Sequence, residues 1–188
     1  MITMDDFIPE KAPLLREVAE EVSFPLDAET QELADLMLEF LKNSQDEQIA
    51  EKYELRAGVG VAAPQIGVGK QIFAVFLQQY DETRDEMVPV IEEVFFNPKI
   101  ISHSAGQVAL KEGEGCLSVR RSVPGYVPRS QRVRFQYQDR QGQVHELKLR
   151  DYQAIVVQHE MDHLKGILFY DHINALQPWY QDPEVKLI

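Results

Sequence analysis

Cysteine is almost missing: the 188 residues contain one, Cys116. With no partner in the chain it forms no internal disulfide, so a reducing, cytoplasmic setting is the expectation. Apolar runs of the ~20 residues that span a membrane are lacking, which excludes a membrane-spanning helix. Met1 to Pro9 (MITMDDFIP) holds two acids and no basic stretch before an apolar segment, so no secretory signal is expected. Positive charge is scarce, with 19 Lys and Arg against 31 Asp and Glu and a net charge of -12. So acidic a surface repels phosphate backbones on average, which excludes DNA as a partner. The local exception is a segment holding Arg120, Arg121, Arg129, Arg132 and Arg134, read as decoration of a strand and a loop. Repeats and low-complexity tracts are also lacking.

What remains is ordinary globular composition, 44% apolar and 9% aromatic. The length fits one domain over residues 1–188, expected as a monomer. Residues 1–27 contain Pro9, Pro13 and Pro25 and read as an irregular arm with a short helix around Leu14 to Val22. Asp27 is placed to cap the next helix, where Leu33, Leu36, Met37, Phe40 and Leu41 form one apolar stripe. Arg56 to Gly69 (RAGVGVAAPQIGVG) is a glycine-rich turn region, and QIFAVFL from Gln71 to Leu77 is a strand. A polar loop is expected from Gln78 to about Met87, then two short extended pieces over Val94 to Ile101, broken at Asn97-Pro98. Val133–Gln138 and Val144–Leu149 alternate around Asp139-Arg140-Gln141-Gly142 and predict a hairpin. Asp151 is placed to cap a last helix to about Leu164, stopped by Gly166, and an extended tail follows. The fold class that results is α+β, with small antiparallel sheets packed around one central helix.

That helix carries His159-Glu160-Met161-Asp162-His163. Residues i and i+4 share a helix face, so both imidazoles can reach one ion while Glu160 reaches a water beside it. Chance supplies roughly 0.01 such HExxH patterns in a chain of this composition. Two histidines in the apolar run AIVVQHEMDHL are also costly to bury without a partner.

A catalytic site of this kind needs a third protein ligand and one open position. A continuation HExxHxxGxxH fails, because Gly166 fits but Phe169 stands where the third His would be. A Glu about twenty residues beyond the second His is available as Glu184, between Pro183 and the chain end. Cys116 is the other candidate, in Glu112-Gly113-Glu114-Gly115-Cys116-Leu117-Ser118, where glycines let the backbone turn tightly. One thiolate and two neutral imidazoles leave a net charge near +1 and suit zinc, iron or nickel over magnesium or calcium. Tyr152, Ile155, Val156 and His159 share a helix face, so an apolar recess beside the metal is expected. Core packing alone would also account for Ile155 and Val156.

Three segments together resemble the three motifs of peptide deformylases: Gly58-Val59-Gly60-Val61-Ala62-Ala63-Pro64-Gln65, Glu114-Gly115-Cys116-Leu117-Ser118 and Gln158-His159-Glu160-Met161-Asp162-His163-Leu164-Lys165-Gly166. They stand in the family's order over more than half the chain. The helical insertion before the first motif, the MITMDD arm and the non-helical tail resemble the class typical of Gram-positive bacteria. The resemblance implies removal of the formyl group from the formyl-methionine of nascent polypeptides, with release of formate. It implies Cys116, His159 and His163 as ligands of one divalent metal, Fe(II) natively and zinc or nickel as substitutes. Glu160 would carry the proton, and Gln65 and the Leu117 N–H would stabilise the oxyanion. Gly58, Val59 and Gly60 would meet the peptide in a strand-like mode, and Tyr152, Ile155 and Val156 would receive the methionine side chain.

Formyl-methionyl nascent peptides are the implied partners, with the ribosome a further candidate. The other main class contacts the ribosome through a terminal helix; this chain ends WYQDPEVKLI, so that contact does not carry over. The basic segment VRRSVPGYVPR, Val119 to Arg129, departs from the subclass and alters the rim of the site. Two other readings compete: an endopeptidase using Glu184 as ligand, and a non-catalytic metal-binding module.

Overall fold

The computed structural model describes residues 1–188. After the arm, helices α1 (Ala28–Gln45) and α2 (Glu47–Lys52) precede the strands β1 (Gly60–Ala62), β2 (Ile72–Asp81), β3 (Glu86–His103), β4 (Gln107–Ala109), β5 (Arg129–Ser130), β6 (Arg132–Gln138) and β7 (Val144–Arg150). Helix α3 (Asp151–His163) and strand β8 (Val185–Leu187) complete the chain. The main sheet is antiparallel in the order β1-β2-β3-β6-β7, and a small sheet runs β5-β4-β8. The α+β expectation holds, with one addition: β8 lies parallel to β4, so the extended tail ends in a sheet. No helix is long and apolar enough to cross a membrane.

Strand β2 shows why the run QIFAVFL is apolar throughout. Ile72, Ala74 and Phe76 pack toward α1, while Phe73, Val75 and Leu77 pack on the opposite face with Val156, Val157 and Met161 of α3. A strand covered on both faces loses the apolar–polar alternation. Helix α1 is capped as expected, Asp27 Oδ1 accepting the Thr30 N–H at 2.7 Å. It buries Ala34, Met37, Phe40 and Leu41, with Leu33 and Leu36 at the edge of the stripe. Burying Phe40 and Leu41 contributes on the order of 2 kcal/mol each.

Four local expectations need correction. The helix expected around Leu14 to Val22 is only a 3-10 turn over Pro13–Arg16. Beyond it the arm's main chain bonds elsewhere, with Ala19 N–H on Leu164 O and Glu20 N–H on Gly69 O. The loop expected over 78–87 is the end of a β2–β3 hairpin, with Gln79 opposite Val88 and Tyr80 opposite Met87. This ladder runs past the core, so its polarity reports solvent on both faces. Asn97-Pro98 does not divide β3: the ladder shifts register between Phe96 and Lys99 and continues. Asn97, at φ +48°, bonds both backbone groups of Val22 through its amide. Finally, Asp151 is not the cap of α3. Its φ is +51°, its carboxylate takes Gln131 Nε2 and Arg150 Nε, and Arg150 holds the cap position. The β6–β7 hairpin forms as expected, with Asp139 Oδ1 accepting the N–H groups of Gln141 and Gln143.

Candidate metal centre and active site

Seven of the thirteen residues of α3 are buried, Glu160 and His163 among them, so the helix holds its polar side chains inside the protein. His159 and His163 lie one turn apart with ring centres separated by 5.2 Å. Cys116 arrives from the loop between β4 and β5, in a turn closed by the Val119 N–H on Cys116 O at 3.1 Å. Its Sγ lies 3.3 Å from His163 Nε2. One ligand atom from each of Cys116, His159 and His163 falls within 4.8 Å of the others. A sulfur and a nitrogen on one tetrahedral ion stand about 3.5 Å apart, so spacing and donor chemistry both fit such an ion. Glu184 is exposed and belongs to no such group.

Behind the histidines lies a chain of charges. His159 Nδ1 is 2.8 Å from Glu114 Oε2, which leaves its Nε2 for an ion. Glu114 accepts from Arg129 Nε at 2.6 Å and Nη2 at 2.9 Å, and Arg129 Nη1 reaches Asp162 at 2.7 Å. His172 Nε2 closes the series on Asp162 at 2.7 Å. Burial opposes the charge on Glu114, yet its bonds to Arg129 and His159 hold its pKa below the usual carboxylate range. Burial likewise opposes protonation of His159, but hydrogen bonds to Cys116 and Glu114 win and hold its pKa well above the ordinary imidazole value. Burial, reinforced by the charge of His159, drives His163 well below that value, and its Nδ1 has no partner.

Glu160 is packed against β1. A Cβ on Gly60 would stand 2.7 Å from Glu160 Cδ, so only glycine admits the carboxylate there. Burial raises the Glu160 pKa to about 7, opposed by the charges of His159 and Arg129, and Oε2 has no partner. Gln65 is buried, with Oε1 accepting the Ala62 N–H at 2.8 Å. Its Nε2 donates to Ser118 Oγ at 3.0 Å and lies 3.5 Å from Cys116 Sγ. A cavity of about 430 Å³ opens onto this group. Gly58, Val59, Gly60, Tyr152, Ile155 and Val156 all line it, as do Gln65, Cys116, Leu117, His159 and Glu160. His163 lies behind the wall, fully buried.

The three motif glycine-region residues differ in what they can offer. The Gly58 N–H goes to Ser44 Oγ at 3.2 Å and its carbonyl takes Gln45 Nε2 at 2.9 Å, so α1 occupies both groups. Val59 O accepts from Phe76 N–H at 2.9 Å. The alternation of an antiparallel ladder then turns the N–H and C=O of Gly60 away from β2, on the sheet's free edge.

The sequence reading missed Arg129 and Glu114 as parts of the site. By sequence Arg129 reads as one of five arginines decorating a strand and a loop, yet its side chain is 3% exposed and paired on both sides. A signal was available: Glu114 precedes Cys116 by two residues, and a metal-bound His commonly donates its other N–H to a carboxylate. Ser44 and Gln45, at the end of α1, carried no signal, because only the fold brings them to Gly58.

The family model described as polypeptide deformylase matches residues 4–179. A peptide deformylase of Latilactobacillus sakei is 55% identical over 179 residues, 95% of each chain. One of Listeria welshimeri is 55% identical over 187 residues, covering 100% of this chain and 99% of its own. Among solved structures, the peptide deformylase of Thermus thermophilus aligns with a TM-score of 0.72 at 31% identity, over 95% of this chain and 89% of its own. With the family model spanning nearly the whole chain and full-length relatives above half identity, this protein belongs to the peptide deformylase family and is a hydrolase of that class.

Proposed function

We propose that residues 1–188 form a catalytic domain that hydrolyses the formyl amide at the N-terminal formyl-methionine of nascent polypeptides, using one divalent metal held by Cys116, His159 and His163. The observation that carries this reading is the cluster of those three donors, with Cys116 and His159 facing one cavity together with buried Glu160 and His163 directly behind them. An ion bound there supplies Lewis acidity, polarising the formyl carbonyl and acidifying water. The donor set admits Fe(II), zinc or nickel, and the family resemblance implies Fe(II).

Glu160 takes a proton from the attacking water as hydroxide adds to the formyl carbon. It returns that proton to the amine nitrogen as the C–N bond breaks, giving formate and a free methionine N-terminus. Burial lifts the Glu160 carboxyl above the usual range and a neighbouring cation draws it back down, so it can both accept and donate a proton near neutral pH. The Leu117 N–H and the Gln65 amide donate to the oxyanion, a role worth a few kcal/mol in fixed, water-poor surroundings. Gly60 pairs with the peptide main chain along the free edge of β1, beside Val59 and Gly58. Tyr152, Ile155 and Val156 form the apolar recess for the thioether side chain. The partners in this reading are formylated nascent chains, met by a cytoplasmic monomer close to the ribosome.

The test is formate release from a short formyl-methionyl peptide, with protein purified without oxygen and assayed for metal. Cys116→Ser and Glu160→Ala run beside the wild type. Turnover lost in both, with metal lost chiefly from the Cys116 variant, is the expected result. No formate from metal-loaded wild type would overturn the proposal.

A further inference from the structure

The oxyanion role given to the Leu117 N–H raises the question of what aims it. Leu117 is buried, and its N–H donates to no group of the protein. The turn that carries it, Cys116 to Val119, has a main-chain bond of its own only from the Val119 N–H to Cys116 O. Three of its carbonyls, those of Cys116, Leu117 and Val119, converge on one side chain. Arg56 Nη1 lies 3.1 Å from Leu117 O and 3.4 Å from Val119 O, while Nη2 lies 3.3 Å from Cys116 O and 3.4 Å from Val119 O. All four contacts go to main-chain oxygens of this one turn.

We propose that Arg56 is a positioning residue, which fixes and polarises the Cys116–Leu117 peptide unit so that the Leu117 N–H points at the developing oxyanion. The inference rests on the deformylase reading above. In a trans peptide the carbonyl and the following N–H point in opposite directions within one plane. Holding Cys116 O on a guanidinium therefore turns the Leu117 N–H away from Arg56. A cation at the carbonyl end also withdraws electron density from the amide, strengthening its N–H as a donor. Arginine suits the task because its planar fork presents several donors at fixed angles, whereas a lysine ammonium is a point charge on a flexible stem.

Arg56 also lines the cavity and is exposed, so direct contact with the peptide is the competing role. The two separate kinetically. Losing an interaction felt only at the oxyanion lowers kcat, while losing uniform substrate binding raises KM. The experiment uses the full chain, zinc-loaded, with Arg56→Ala and Arg56→Lys. It measures kcat and KM for formate release, metal content, and the amide resonance of Leu117. Expected for Arg56→Ala are a kcat lower by about tenfold or more, KM within about twofold, full metal and an upfield shift of the Leu117 nitrogen. Arg56→Lys should fall between Arg56→Ala and wild type, and added guanidinium should restore part of the Arg56→Ala rate. An unchanged kcat with raised KM overturns the proposal, as does an unmoved Leu117 resonance or a rate loss that merely tracks metal loss. Should Arg56→Ala not fold, the Leu117 resonance and kcat of Arg56→Lys decide on the same criteria. Failure of wild type to release formate would overturn the deformylase reading, whereas the Leu117 resonance needs no turnover and still judges Arg56.

Discussion

Replacing Arg129 with methionine tests whether the charges behind the Cys116, His159 and His163 cluster act as one unit. The guanidinium is 3% exposed and bridges Glu114, 4% exposed, to Asp162, 14% exposed. Methionine keeps much of the volume and leaves two carboxylates facing each other without their cation. Breaking a buried pair by removing one partner costs about 3–5 kcal/mol. Because Glu114 keeps His159 and Asp162 keeps His172, the lower end applies, about 3 kcal/mol. For a chain of this length that lowers Tm by roughly 6–12 °C. Thermal unfolding of the metal-saturated protein, followed by circular dichroism, gives the value. Glu114 and Asp162 both have depressed folded pKa values, so their contribution is present above the unfolded values and lost as pH falls through the folded ones. Without Arg129 both carboxyls protonate more readily. The deficit of the variant is therefore largest near neutrality and shrinks as pH falls toward about 4.5. The double variant Arg129→Met with Glu114→Met should lose clearly less than the sum of the single losses. A Tm within about 2 °C of wild type, or strictly additive losses, would refute the account.

Three further outcomes follow from the site. Burial raises Glu160 to about 7 from the usual 4.5, so in the metal-free protein this one group should withdraw about 3 kcal/mol of stability as pH climbs through that interval. Glu160→Gln should remove that contribution from the pH dependence, and wild-type and variant stability curves running parallel by urea titration would contradict the burial argument. In the loaded enzyme a nearby cation favours the carboxylate, so the acid limb of kcat/KM should lie below 7. Gly60→Ala forces its Cβ onto the Glu160 carboxylate; kcat should drop about a hundredfold with metal retained, and an unaffected rate would show that the carboxylate is free to move. Gln65→Ala removes the proposed oxyanion donor and the acceptor of the Ala62 N–H. A kcat lower by about 10²–10³ is expected, with a stability loss of about 1–3 kcal/mol, and a loss confined to stability would leave Gln65 structural.

The parts of the protein legible in its sequence are those set by local periodicity. The α1 stripe, the β6–β7 hairpin and the placement of two histidines on one turn of α3 all follow from spacings of two to four residues. The cavity wall was legible for the same reason, since Tyr152, Ile155 and Val156 share a face with His159 and line the space beside it. What was not legible depends on distant partners. Residues 17–22 look helical until their N–H groups find Leu164 and Gly69. Asn97 looks like a strand end until its amide finds Val22. Arg129 looks like one exposed cation among five, and only the fold supplies Glu114 and Asp162 to bury it. In each case a side chain or backbone segment takes its role from a residue far away in sequence.

The free edge of β1 bears on solubility as well as on chemistry. An unpaired strand edge is a template for any extended chain, including another copy of the same protein. Here the strand is three residues long, and the Ala62 N–H is already taken by Gln65. The main-chain groups left open therefore centre on Gly60, beside a cavity. An edge this short can hold a residue or two of a passing peptide, yet it offers too little ladder for sheet-to-sheet growth. The feature that would admit an unfolded nascent chain thus also keeps the folded protein from polymerising through that edge.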